Sequence, residues 1–196
     1  MCNSSMFKVA SCQLLTTEDV ELSAQRIIEF LEACARQDVD LALFPEGTLY
    51  GYCGRSEFWD KINPQLFADA ERQIRARCKE LNIAAVVGSA HQSDRGWINS
   101  LAIIEKDGRL IGRYGKTFLG GDSWCTNFVE KIPLLEVAGA KVCFLICRDI
   151  RYPELVRLPA AMGAEICLFS ACESGLLAEH KLTAYRSMPI SRAFEN

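Results

Sequence analysis

The chain has only two histidines, His91 and His180, and neither lies in a segment with a signature of a histidine-assisted thiol enzyme. It also lacks any C-x-x-C pair, the mark of a dithiol redox centre. No apolar run approaches the ~20 residues that a membrane-spanning helix needs. The first residues, Met-Cys-Asn-Ser-Ser-Met-Phe-Lys, have neither the cationic nor the apolar region of a secretory signal, so the expected address is the cytoplasm. Charge of one sign is not concentrated: 22 Lys+Arg stand against 25 Asp+Glu, interspersed, for a net charge of -3. Without a basic stripe, nucleic acid is not an expected partner. There is no internal repeat.

What the chain does have is cysteine, ten of them. Most sit inside apolar segments such as residues 9–14 and 142–147, where cysteine behaves as a small hydrophobe. With no secretory signal and a chain this long, reduced thiols are expected rather than a disulfide framework. A zinc site from Cys143, Cys147, Cys167 and Cys172 is conceivable, but the spacings are not those of paired zinc ligands. No metal or organic cofactor is expected. A chain of 196 residues can bury roughly 70% of the surface its unfolded form exposes, enough for one domain over residues 1–196.

Apolar periodicity predicts strands alternating with helices. Residues 7–14 read as a strand. Residues 18–37 read as a helix, with Val20, Ala24, Ile27, Ile28, Leu31, Cys34 and Ala35 on one face and Thr16 or Thr17 as candidate caps. Residues 40–45 read as a short buried strand. A second helix is expected from Pro64, followed by a strand over 83–90. Two hairpins are expected, one through Lys106-Asp107-Gly108 between 97–104 and 110–114, and one through Ala138-Gly139 between 134–137 and 141–147. Residues 153–162 read as a helix, 165–169 as a strand and 182–194 as partly helical. The sum is an α/β fold, with helices packed over mixed sheet.

Three stretches each put a reactive group at the end of an apolar run: Phe-Pro-Glu-Gly at 44–47, Gly-Arg-Tyr-Gly-Lys at 112–116 and Leu-Ile-Cys-Arg-Asp-Ile-Arg-Tyr-Pro-Glu-Leu at 145–155. Alone, a glutamate after a strand is usually a surface charge, a lysine after a hairpin is usually solvated, and one cysteine among ten has no special claim. Together, Glu46, Lys116 and Cys147 supply a base, a cation for a developing oxyanion, and a nucleophile.

In this order the three stretches resemble the signatures of the nitrilase superfamily of carbon–nitrogen hydrolases. The final Arg192-Ala193-Phe194-Glu195-Asn196 resembles a further family stretch. The resemblance implies an αββα sandwich, a catalytic Glu46–Lys116–Cys147 triad, and a homodimer or higher homo-oligomer. It implies a cysteine thioester intermediate and a small carboxamide or N-carbamoyl substrate, because Cys147–Leu155 is closer to the amidase and carbamoylase branches than to the nitrilases. Family members continue beyond the last stretch, so the resemblance also implies that a chain ending at Asn196 is short of its last strands and exposes a sheet edge. The family's second glutamate, beyond the lysine, is replaced here by Asp122 or by Glu130 farther along. Arg148 follows the nucleophile where an aromatic residue is common, and is a candidate substrate contact. Arg151 and Glu154 are expected to form a structural ion pair. The rival expectation is a weak or inactive relative that acts by binding. Lys116 is expected to lower the thiol pKa of Cys147 and make it the most reactive of the cysteines.

Overall fold

The computed structural model describes residues 6–127, 134–173 and 180–196. A five-stranded sheet is built from β1 (Val9–Ser11), β2 (Leu41–Leu43), β3 (Ala84–Ser93), β4 (Gly96–Ile104) and β5 (Leu110–Gly115), in that spatial order. The first three strands are parallel, and β3, β4 and β5 run antiparallel. A three-stranded sheet holds β6 (Leu134–Val137), β7 (Ala140–Ile146) and β8 (Ile166–Ser170). Helices α1 (Val20–Ala35) and α3 (Gln65–Leu81) are long; α2 (Ser56–Lys61), α4 (Glu154–Ala161) and α5 (Leu182–Glu195) are shorter.

Alternation along the strands creates two cores from one set of apolar runs, since successive side chains point to opposite faces. In β2, Leu41 and Leu43 face one way and Ala42 the other; in β3, Ala84 and Val86 oppose Ala85 and Val87. Leu41, Leu43, Ala84, Val86, Leu101 and Ile103 meet Val137, Val142, Phe144 and Ile146 from the second sheet. Ala42, Ala85 and Val87 instead meet Ile27, Leu31, Ile74 and Cys78 from α1 and α3. On the far side of the second sheet, Leu145 packs with Ile150, Val156, Leu155 and Met188 under α4 and α5. The layers are therefore helix, sheet, sheet, helix, as the resemblance implied.

Most expected elements are present with trimmed ends. The cap of α1 differs: Asp19, not Thr16 or Thr17, is the N-cap, with Oδ1 accepting from Leu22 N at 3.0 Å. Thr17 instead braces Asp19, its Oγ1 accepting from Asp19 N at 3.3 Å. Asn63 Oδ1 accepts from Gln65 N at 3.0 Å and starts α3 beside Pro64. Periodicity could not reveal α2, whose six residues are too few to show a stripe. It is held by tertiary packing: Trp59 stacks on Trp124 with centroids 3.7 Å apart and meets Tyr50 edge-on at 5.0 Å. That cluster also anchors the loop after β5 to the first core. The expected Arg151–Glu154 pair is not among the ion pairs of the described residues. Arg192 reaches the turn instead, donating to Ile150 O at 3.3 Å, and pairs with Glu195 at 3.1 Å.

Gly88 on β3 is where the segment after β2 crosses closest. A Cβ there would lie 2.0 Å from Pro45 O and 2.6 Å from Gly47 N. Gly88→Ala is expected to destabilise the protein by at least ~1–3 kcal/mol, through overpacking against backbone that cannot give way; chemical denaturation measures it, and an unchanged midpoint would show that the segment is free to move. A second expectation concerns pH. Burial first, and then the nearby Arg113, push His91 down from 6.5 to about 4. Below the ordinary range the unfolded chain takes up a proton that folded His91 refuses. Stability should therefore fall as pH drops from about 6.5 to about 4. His91→Gln should remove that part of the slope in denaturation curves recorded at several pH values.

Candidate active site

Glu46 lies just beyond β2. The strand's pairing continues one residue further, with Phe44 N donating to Val86 O at 2.9 Å. Gly47 then turns the chain at φ 66°, a left-handed conformation that glycine adopts without penalty. The side chain of Glu46 is fully buried. Its Oε1 accepts from Lys116 Nζ at 2.7 Å and from Asn99 Nδ2 at 2.8 Å, while Oε2 accepts from Cys172 N at 3.3 Å. Burial raises its pKa against the opposing pull of Lys116 and Asn99.

Lys116 directly follows β5, where its N–H donates to Asn99 O at 2.8 Å. Its ammonium is also fully buried and sits between two carboxylates, Glu46 Oε1 and Asp122 Oδ2, each at 2.7 Å. Burial alone would push the ammonium toward neutrality, but the two carboxylates outweigh it, and its pKa is raised above the ordinary lysine value. The cation is therefore permanent at neutral pH. Asp122 is held in turn by Tyr52, whose hydroxyl donates to Oδ1 at 3.3 Å, and by Gly120 N at 3.2 Å.

Cys147 is the first residue after β7 and opens a short 3-10 turn, Cys147–Arg151. Its φ of 46° is unusual for a residue with a side chain, and such conformations concentrate at functional sites. Asp149 holds the turn from inside. Its Oδ2 accepts from Tyr114 Oη at 2.7 Å and Ile146 N at 3.1 Å, and its Oδ1 from Phe118 N at 2.9 Å. The Cys147 thiol donates to Glu173 Oε1 at 3.1 Å and lies 3.5 Å from Tyr185 Oη. Burial, followed by the charge of Glu46, raises the thiol's pKa; the opposing influence of Lys116 is smaller. The expected low-pKa thiol is thus not the state of this site, because two carboxylates and a dry environment face the sulfur against one cation.

A base, a cation and a thiol from three strand ends share one buried locality, within a helix–sheet–sheet–helix sandwich. The family model for carbon-nitrogen hydrolases matches residues 8–195. The chain belongs to the carbon-nitrogen hydrolase family. Among its curated relatives is a hydrolase in the pqqF 5' region of Pseudomonas protegens, 32% identical over 154 residues, covering 76% of this chain and 53% of that protein. The N-carbamoylputrescine amidase of Solanum tuberosum is 25% identical, over 82% of this chain and 57% of that one. The chain thus spans little more than half the length of these two relatives. A solved structure of a mutant amidase from Nesterenkonia sp. AN1 superposes with a TM-score of 0.79 at 20% identity, covering 89% of this chain and 69% of that one. In that structure the acetamide moiety of fluoroacetamide is covalently added at the active-site cysteine.

In this member of the carbon-nitrogen hydrolase family, Glu46, Lys116 and Asp122 form one hydrogen-bonded chain, with Cys147 in electrostatic contact with Glu46 and Lys116. Glu130, the other candidate for a second acid, lies outside the described residues. Arg148 is half-buried in the turn after the nucleophile. Among the described residues no three His, Cys, Asp or Glu side chains are grouped to hold a metal ion, and the nine described cysteines are free. No helix of the described residues is long and apolar enough to cross a membrane. Four site residues escaped the sequence: Asn99, Asp149, Glu173 and Tyr185. Glu173 carried a signal similar to the triad's, a reactive group a few residues past an apolar run, here residues 166–169. Asn99 stands beside Ser100 inside a mostly apolar strand, a signal of polar partners for a buried group. Tyr185 carried no signal, because its distance from Cys147 in the chain is bridged only by folding.

Lys116 neutralises both acids, so removing it leaves two buried carboxylates uncompensated. Lys116→Met should cost about 3–5 kcal/mol of stability. A denaturant midpoint equal to the parent's would show that the pair is not buried as described.

Proposed function

We propose that this chain carries the catalytic machinery of a thiol hydrolase acting on the non-peptide C–N bond of a small carboxamide or N-carbamoyl compound. The observation that carries this reading is the buried Lys116 ammonium fixed between Glu46 and Asp122 at the edge of the Cys147 turn. A dry, preoriented cation is what a developing oxyanion needs, and it is worth far more there than in water. The names of the relatives agree: one is an amidase of a carbamoyl compound, and the structural neighbour is an amidase whose active-site cysteine carries the acetamide moiety of fluoroacetamide.

On this reading the Cys147 sulfur attacks the carbonyl carbon while its proton passes to Glu46. The C=O electron pair moves onto oxygen, stabilised by Lys116 and by the N–H of Arg148. Collapse of that intermediate expels ammonia or an amine, which takes its proton from Glu46, and leaves a thioester on Cys147. Glu46 then accepts a proton from water as the hydroxyl oxygen attacks the thioester, and the thiol is restored. The raised pKa of Glu46 suits a group that both takes and returns a proton. Asp122 serves as the family's second acid by holding Lys116, and Arg148 provides a substrate contact. The reading includes a homodimer or larger homo-oligomer as the working form.

Ammonia release across a panel of small carboxamides and carbamoyl compounds tests the reaction. Turnover of at least one compound is expected, with Cys147→Ser and Glu46→Gln falling to background. Mass spectrometry should find the acyl group on Cys147. An active Cys147→Ser protein, or acylation elsewhere, would overturn the mechanism.

A further inference from the structure

The proton of the resting nucleophile does not point to the acid that the proposed reaction assigns to it. Both oxygens of Glu46 are occupied, by Lys116 and Asn99 on Oε1 and by the Cys172 N–H on Oε2. The thiol of Cys147 donates instead to Glu173 Oε1 at 3.1 Å. That same Oε1 accepts the hydroxyl of Tyr185 from α5, and Oε2 lies 3.6 Å from Lys181 Nζ. Tyr185 Oη also stands 3.5 Å from the sulfur. Sulfur, carboxylate and phenol thus close a triangle contributed by the ends of two strands, β7 and β8, and by one helix. Glu173 has no part in the reaction as set out above.

We propose that Glu173 is a positioning residue for the nucleophile: it holds the Cys147 Sγ–H in the resting site, and Tyr185 sets how firmly. Two donors compete for one oxygen. When Tyr185 donates to Glu173, the carboxylate has less to offer the thiol. When Tyr185 turns toward the sulfur, it favours the thiolate directly. Glu173 therefore restrains the thiol and Tyr185 relieves the restraint. Attack requires the Sγ–H to leave Glu173 before its proton can pass to Glu46, so the inference rests on the hydrolase reading only for its catalytic consequence.

The groups that face the sulfur are Glu46 after β2, Lys116 after β5, Glu173 after β8 and Tyr185 on α5, with Tyr52 in the same electrostatic neighbourhood. Burial favours a neutral Glu173, but Tyr185, Cys147 and Lys181 together keep it below the ordinary carboxylate range. It is charged at neutral pH, and its charge opposes a thiolate beside it. Replacing Glu173 by the isosteric neutral amide should therefore release the thiol without opening a cavity.

The test is labelling of Cys147 in the full chain by methyl methanethiosulfonate, followed by peptide mapping over a neutral to alkaline pH series. The thiolate forms a disulfide with the S-methyl group, and methanesulfinate leaves. Glu173→Gln should label on the order of tenfold faster at neutral pH, with its profile moved to lower pH. Tyr185→Phe should move in the opposite direction, and Glu173→Asp, which keeps the charge, should return toward the parent. Glu173→Gln at or below the parent rate would overturn the proposal, as would Tyr185→Phe shifting in the same direction as Glu173→Gln. Labelling needs no turnover. An inactive protein whose labelling follows this order would count against the hydrolase reading alone, while an active one whose labelling ignores Glu173 would count against this inference alone.

Discussion

The buried Glu46–Lys116 ion pair constrains everything around it. Neither charge reaches solvent, so each depends on the other and on the polar atoms that complete the shell. Asn99 satisfies part of Glu46, Asp122 completes Lys116, and the Cys172 N–H binds the remaining oxygen. These contacts draw together the ends of β2, β5 and β8 and the middle of β4. A site whose polar groups are fixed in a dry interior is preorganised, because little remains to reorient when charge develops on a substrate.

That pair could be buried only because the surrounding backbone was shaped for it. Gly88 lets the Glu46 segment lie directly on β3, and the Trp59–Trp124 stack pins the loop that carries Asp122. Asp149 does for the nucleophile what these do for the base: three donors converge on one carboxylate and hold the Cys147 turn in a conformation that the chain would not choose locally. Two acids, Glu46 and Glu173, flank the sulfur with one cation nearby. Burial and the charge of Glu46 push the thiol's pKa up, and Lys116 opposes them.

Much of the architecture was legible in the chain. The short apolar run at residues 40–45 marked a buried strand and the branched residues of 83–90 marked another, and the stripe of Val20, Ala24, Ile27 and Leu31 marked a helix. The positions of Glu46, Lys116 and Cys147 were legible too, each standing where an apolar run stops and the chain turns. Local errors fell where one neighbour decides. Asp19 displaced Thr16 and Thr17 as the cap, because its carboxylate reaches Leu22 N while Thr17 is engaged with Asp19 itself.

Periodicity and strand-end chemistry settle what depends on near neighbours: element type, face and the kinds of reactive group. The sign of the shift on Cys147 was beyond their reach. A cation in the motif argued for a reactive thiol, yet the outcome depends on distances among Glu46, Lys116, Glu173 and Tyr185, which come from four separate parts of the chain. Burial and Coulomb energy vary with spatial separation and local dielectric, and neither quantity exists until the two sheets have packed. The chain order decided which groups were available, and the tertiary structure decided which of them face the sulfur.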